Sequence, residues 1–200
     1  MPKPQGLPDS IGQLESLISF TIVGCEKLET LPGTLGQLEG LDELEITGCA
    51  MFKILPDSLG QLKCLQRLKI VGCEKLETVP ETLGELESLT NLEIRDCPNL
   101  TSLPMSLGKL NCLLSLIIGC VNLKALPEDV GTLERLWHLR IMGCENLETL
   151  PETLGRLKLK TLEIRSCVNL KAVPMSLKLD EVETLIIVDC QYLKSVTRDL

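Results

Sequence analysis

The stretch Leu41–Cys49, LDELEITGC, recurs along the chain with a fixed apolar frame and changing residues between. It reads LISFTIVGC from Leu17, LQRLKIVGC from Leu65, LTNLEIRDC from Leu89, LLSLIIGC from Leu113, LWHLRIMGC from Leu136, LKTLEIRSC from Leu159 and VETLIIVDC from Val182. Eight copies of L-x-x-L-x-L-x-x-C cover nearly all 200 residues, so the repeat unit decides the fold rather than any isolated motif. Within each copy the apolar positions alternate, which predicts a short strand with one buried face.

Working outward from the strand, a second marker keeps the same period. The dipeptides Leu7-Pro8, Leu31-Pro32, Leu55-Pro56, Val79-Pro80, Leu103-Pro104, Leu126-Pro127, Leu150-Pro151 and Val173-Pro174 recur every 23 or 24 residues. Each opens a segment such as LPDSLGQL from Leu55, in which Pro fixes φ, Asp, Glu, Ser or Thr favours the start of a helical turn, and Gly ends it. A turn or two of helix or 3₁₀ helix is predicted there. The remaining segment, G-C-x-x-L, turns the chain back with Leu28, Phe52, Leu76, Leu100, Leu123, Leu147, Leu170 and Leu193 pointing inward. Three units are one residue short, near Ile118 and Gly119, near Lys158 and near Lys178. Strand exits and loops absorb such losses, so a continuous sheet is predicted with a local irregularity at Gly119.

Composition narrows the function classes. A net charge of -8 disfavours nucleic acid and anionic membrane as partners. At 2% aromatic residues, little is available to stack on bases or sugars. No apolar run approaches the ~20 residues of a membrane span, and MPKPQG lacks the apolar core of a signal peptide, so the chain reads as soluble and intracellular. Eight of the ten cysteines close a repeat, one per unit. Stacked at roughly the strand spacing of ~4.8 Å with parallel Cβ vectors, they are poorly placed for disulfides. They read as buried, reduced thiols donating weakly to loop carbonyls, with Cys64 and Cys112 at one equivalent site too far apart to pair, all of which suits a reducing compartment.

The frame resembles the leucine-rich repeat. That resemblance implies an α/β solenoid: a curved horseshoe of about eight repeats, with short parallel strands on the concave side and short helical or 3₁₀ turns on the convex side. Residues 7–200 are predicted as one such domain, with residues 1–6 a disordered extension or a cloning remnant. Cysteine at the last frame position, followed by x-x-L-x-x-L-P, is similar to the repeats of plant nucleotide-binding, leucine-rich-repeat immune receptors, as in CEKLETLPGTLGQL from Cys25 and CPNLTSLPMSLGKL from Cys97. The resemblance implies a cytoplasmic recognition or autoinhibition module whose partner is a protein ligand or another domain of a parent receptor. The phosphate-binding signature G-x-x-x-x-G-K-[ST] is absent, so no nucleotide chemistry is assigned to this chain. Two other readings stay open: a scaffold of the small-GTPase-signalling type, whose repeats share L-P-x-x-[LI]-G-x-L, and a consensus-derived repeat protein. No polar cap is evident, beyond a weak polar end at Ser195, Thr197, Arg198 and Asp199. A longer parent chain, a partner, or self-association through the open ends would supply one.

Strand positions between the frame residues face the concave surface, and there the copies differ. Trp137, His138, Arg140 and Met142 of the sixth copy, with Leu114 and Ile117 of the fifth and Lys160 and Arg165 of the seventh, have the make-up of a protein-binding hot spot. Trp137 is predicted on the solvent side, beside exposed Leu114, Ile117 and Met142. A catalytic reading is rejected: Ser115 and Thr161 flank His138 in its column, but no carboxylate orients the imidazole. Metal binding is rejected too. One histidine and thiols at a 24-residue period cannot converge, and Glu26/Glu29, Glu74/Glu77 and Glu145/Glu148, interleaved with Lys27 and Lys75, read as a solvated flank. No cofactor is expected.

Overall fold

Each copy of the frame becomes a five-residue strand, because alternation sends one set of side chains inward and the other outward. The computed structural model describes residues 6–194. Its strands are β1 (Ser19–Val23), β2 (Glu43–Thr47), β3 (Arg67–Val71), β4 (Asn91–Arg95), β5 (Ser115–Gly119), β6 (His138–Met142), β7 (Thr161–Arg165) and β8 (Thr184–Val188). They form one parallel sheet in chain order. Equivalent frame residues lie side by side, as Leu44 with Leu68 and Ile46 with Ile70. Leu41, Leu44, Ile46 and Cys49 are at most 1% exposed. Their counterparts in the third to seventh units join them in a single apolar core, whereas in the end units Cys25 and Leu185 are exposed. Expectations placed on residues 1–5 and on Ser195, Thr197, Arg198 and Asp199 lie outside the described residues.

The convex side is built from 3₁₀ helices, five residues each in the first seven units, as at Asp57–Gln61 and Glu128–Thr132. Their chemistry corrects the sequence reading twice. The residue at the helix start is the proline itself in these seven units, and it has no side-chain acceptor with which to cap. The hydroxyls expected to cap reach sideways instead: Thr34 Oγ1 donates to the Asp9 carbonyl at 2.8 Å and Thr153 Oγ1 to the Glu128 carbonyl at 2.6 Å. The equivalent hydroxyls of Ser58, Thr82 and Ser106 are buried without a partner among the described residues. Nor does the glycine stop the helix. Gly131 lies inside its 3₁₀ segment and is not among the residues with positive φ. A Cβ added there would stand 2.4 Å from Thr153 Cβ and 2.5 Å from the Thr153 carbonyl oxygen. The glycine column is a spacing device that lets neighbouring turns touch.

All three short units absorb their loss where predicted. In the fifth, Gly119 pairs with Arg95 as the last strand residue. What is missing is the left-handed residue that follows the strand elsewhere, such as Gly72 at φ 66° or Asp96 at φ 56°. Elsewhere that residue's N–H reaches the next strand's last carbonyl, as Gly72 to Arg95 at 3.0 Å and Gly143 to Arg165 at 2.8 Å. The Met142 carbonyl has no such backbone donor among the described residues, and β5 and β6 pair only as far as Ile118 with Ile141. In the seventh unit the loss straightens Leu157, whose ψ is 149° against 63° to 82° at the equivalent leucines. In the eighth the 3₁₀ helix shortens and moves to Leu179–Glu181.

Candidate functional site

The sheet brings five of the eight residues singled out by sequence, Ile117, His138, Arg140, Met142 and Arg165, onto one face of β5, β6 and β7. Ile117, Arg140 and Glu163 form one row across the three strands, Met142 lies beside Arg165, and Ser115, His138 and Thr161 form another row. Leu114, Trp137 and Lys160 stand just ahead of their strands, not within them. Their backbones are still laddered: the Trp137 N–H donates to Leu114 at 3.0 Å and the Lys160 N–H to Trp137 at 2.8 Å. Parallel pairing in register makes this grid, because equivalent positions of successive units must become neighbours.

Trp137 is 41% exposed. Lys160 Nζ sits 5.5 Å from its ring centroid, near enough for a cation–π contact. Leu114, Ile117 and Met142 are half-buried, not exposed as predicted, because the neighbouring side chains on the sheet cover them. Arg140 and Arg165 converge on one carboxylate: Arg140 Nε lies 3.2 Å from Glu163 Oε2, and Arg165 Nε donates to Glu163 Oε1. Lys160 also pairs with Glu183 at 3.3 Å. Ion pairs at a solvated surface contribute roughly 0–1 kcal/mol, and with the cations this exposed the main effect here is to orient them.

A second feature escaped the sequence reading. A depression of about 240 Å³ lies over the concave face of β1–β5, lined by Glu43, Glu45, Arg67, Lys69, Asn91 and Glu93 among others. These residues were visible as variable slots, but nothing in their identity signals a hollow. Their charges are mutually paired. Lys69 lies 2.9 Å from Glu45, Arg67 bridges Asp42 and Glu43, and Arg95 lies 2.6 Å from Glu93. The Lys69 hydrogen bond, reinforced by Thr47, holds the Glu45 carboxyl below its usual range, and Glu45 in turn pushes the Lys69 ammonium up.

The repeat cysteines are structural. Cys49, Cys73, Cys97, Cys120, Cys144 and Cys167 are buried, while Cys25 at the first unit is exposed and Cys190 at the last is half-buried. Their thiols reach strand carbonyls rather than the loop carbonyls predicted, as Cys97 Sγ to Arg95 at 3.2 Å and Cys167 Sγ to Arg165 at 3.4 Å. Burial pushes the Cys49 and Cys190 thiols up. Among the described residues no three metal-ligating side chains converge, and no helix is long and apolar enough to cross a membrane.

Comparison with known proteins places this geometry. The family described as leucine-rich repeat region matches residues 2–97. Among solved structures, the leucine-rich repeat domain of the type III effector XopL is 30% identical, with 99% of this chain and 69% of that chain covered at a TM-score of 0.85. A leucine-rich repeat protein of Leptospira interrogans is 24% identical, covering 94% of this chain and 59% of that one at a TM-score of 0.53. Toll, in the Toll–Spatzle complex of Drosophila, is 20% identical over 92% of this chain and 28% of that one, at a TM-score of 0.62. These last two share the fold alone. No curated protein matches the sequence.

Proposed function

This chain belongs to the leucine-rich repeat family, and from that premise we propose that residues 7–200 act as one protein-recognition domain whose ligand sits on the concave face of β5–β7. The observation that carries the reading is the exposed Trp137 at the head of β6, beside Lys160 and half-buried Leu114, with half-buried Ile117 and Met142 and the ion-paired Arg140 and Arg165 further along the same strands. Aromatic and arginine side chains at the centre of a patch are where binding energy concentrates. Leucine-rich repeat domains generally mediate protein–protein interaction, and neither a nucleic acid nor a membrane surface is the partner proposed. The cellular setting we favour is the cytoplasm of a plant cell, with the domain sensing a ligand or holding a parent immune receptor inactive. The C-x-x-L-x-x-L-P pattern supports that setting.

A second setting is favoured by a separate observation. The 30% identity with the XopL repeat domain across nearly the whole chain supports the recognition arm of an effector delivered into a host cell. Both settings use the same face. Trp137→Ala combined with Arg140→Ala should abolish capture of a specific protein from plant lysate while leaving the circular dichroism melt unchanged. Capture at undiminished affinity would overturn the assignment.

A further inference from the structure

The charge arrangement on β5–β7 goes a step beyond the location of the site. Resting on the concave-face reading above, we propose that this patch takes an acidic, apolar segment of a partner protein, with an Asp or Glu carboxylate held between Arg140 and Arg165.

One carboxylate serves two guanidinium groups here. Oε1 of Glu163 accepts from Arg165 Nε, its Oε2 is ion-paired with Arg140 Nε at 3.2 Å, and the terminal Nη groups of both arginines have no hydrogen-bond partner among the described residues. Glu163 is sunk between them at 12% exposure, while the arginine side chains remain 47% and 42% exposed. The glutamate thus anchors the two planar forks and leaves their outer donors free. Such forks match the two oxygens of a carboxylate, and the charge-assisted bonds they make are about twice as strong as neutral ones.

The rest of the concave face differs. The slots of the second to fourth units hold four acidic side chains, Asp42, Glu43, Glu45 and Glu93, against three basic ones, Arg67, Lys69 and Arg95. Those of the fifth to seventh hold Arg140, Lys160 and Arg165 against Glu163 alone. In a chain of net charge -8 this is a local cationic surface, and it repels a basic ligand.

An apolar shelf lies alongside. Ile117 is the register neighbour of Arg140, and Met142 that of Arg165. From β7 to β5 is two strand spacings, about 10 Å, or about three residues of extended chain. A ligand acid seated on the arginines therefore places an apolar residue about three positions away onto Ile117, with Trp137 at the margin.

The probe that tests this is a random peptide display library selected on the intact chain. Selected peptides should carry Asp or Glu about three positions from Leu, Phe or Trp. When synthesised, they should lose about tenfold or more in affinity to Arg140→Ala with Arg165→Ala, and weaken as salt rises from roughly 50 to roughly 500 mM. Arg140→Lys, which keeps charge but not the fork, should give an intermediate loss, and Lys109→Ala on the convex side none. Basic or uncharged selected peptides, an absence of selected peptides, or unchanged affinity in the arginine variants would overturn the proposal. Peptides that depend on Trp137 but not on the arginines would overturn this chemistry while keeping the concave-face reading. Peptides indifferent to every concave substitution would overturn both.

Discussion

A single atom decides much at the residue scale. Gly131 and Gly33 occupy the same kind of convex turn, yet a methyl group at Gly131 would meet Thr153 at 2.4 Å whereas one at Gly33 would meet nothing within 4 Å. Gly131→Ala should therefore cost about 1–3 kcal/mol through forced separation of two turns, and Gly33→Ala should be neutral or stabilise by up to about 1 kcal/mol. Urea denaturation of the two variants checks this. The thiols divide in the same way. Cys25 and Cys64 are exposed, and Cys49, Cys73, Cys97, Cys120, Cys144 and Cys167 are closed off within the core. An aromatic disulfide reagent should titrate the first two quickly in native protein and reach the other six only on unfolding. Rapid native reaction at Cys97 would show that the ladder opens.

At the scale of one repeat, the strand was legible and the convex turn only half so. Leu41, Leu44, Ile46 and Cys49 announce their burial through period-two alternation, and register follows because equal repeats must stack like on like. The turn's position was announced by Leu-Pro, but its bonding was not. Capping rules describe a helix within its own chain segment, whereas here hydroxyls and glycines answer to the adjacent unit. Glu81 shows the same cross-repeat logic, since its carboxylate accepts the Ser106 N–H at 2.9 Å and the Met105 N–H at 3.2 Å. The Ser106 backbone bond holds the Glu81 carboxyl below its usual range. With the folded pKa below the unfolded one, this contribution is present above the unfolded value near 4.3 and is lost as pH falls through the folded value. Glu81→Gln should therefore be less stable than the parent at pH 7, and the gap should close on acidification. Denaturation midpoints across that range measure it, and a gap that widens toward low pH would contradict the sign.

Across the whole molecule, fixed and variable positions have separate jobs. The fixed ones make one continuous core, and the variable ones make one continuous face whose character changes along the solenoid. Sequence alone could assemble the eight residues of the β5–β7 patch, because register turns column position into proximity. It could not show that Leu114, Ile117 and Met142 are half-covered, or that Glu163 ties Arg140 to Arg165, because those facts depend on side-chain reach across the sheet. The hollow over β1–β5 was likewise invisible, since the identities of its lining residues carry no sign of one. In the proposed function, the fixed core and the variable face together put a partner protein on the concave side. Photo-crosslinking with benzoylphenylalanine at His138, against the same group at convex Lys109, tests it most directly: a discrete adduct from position 138 alone is the predicted result, and equal labelling from both positions, or labelling from 109 only, would contradict it.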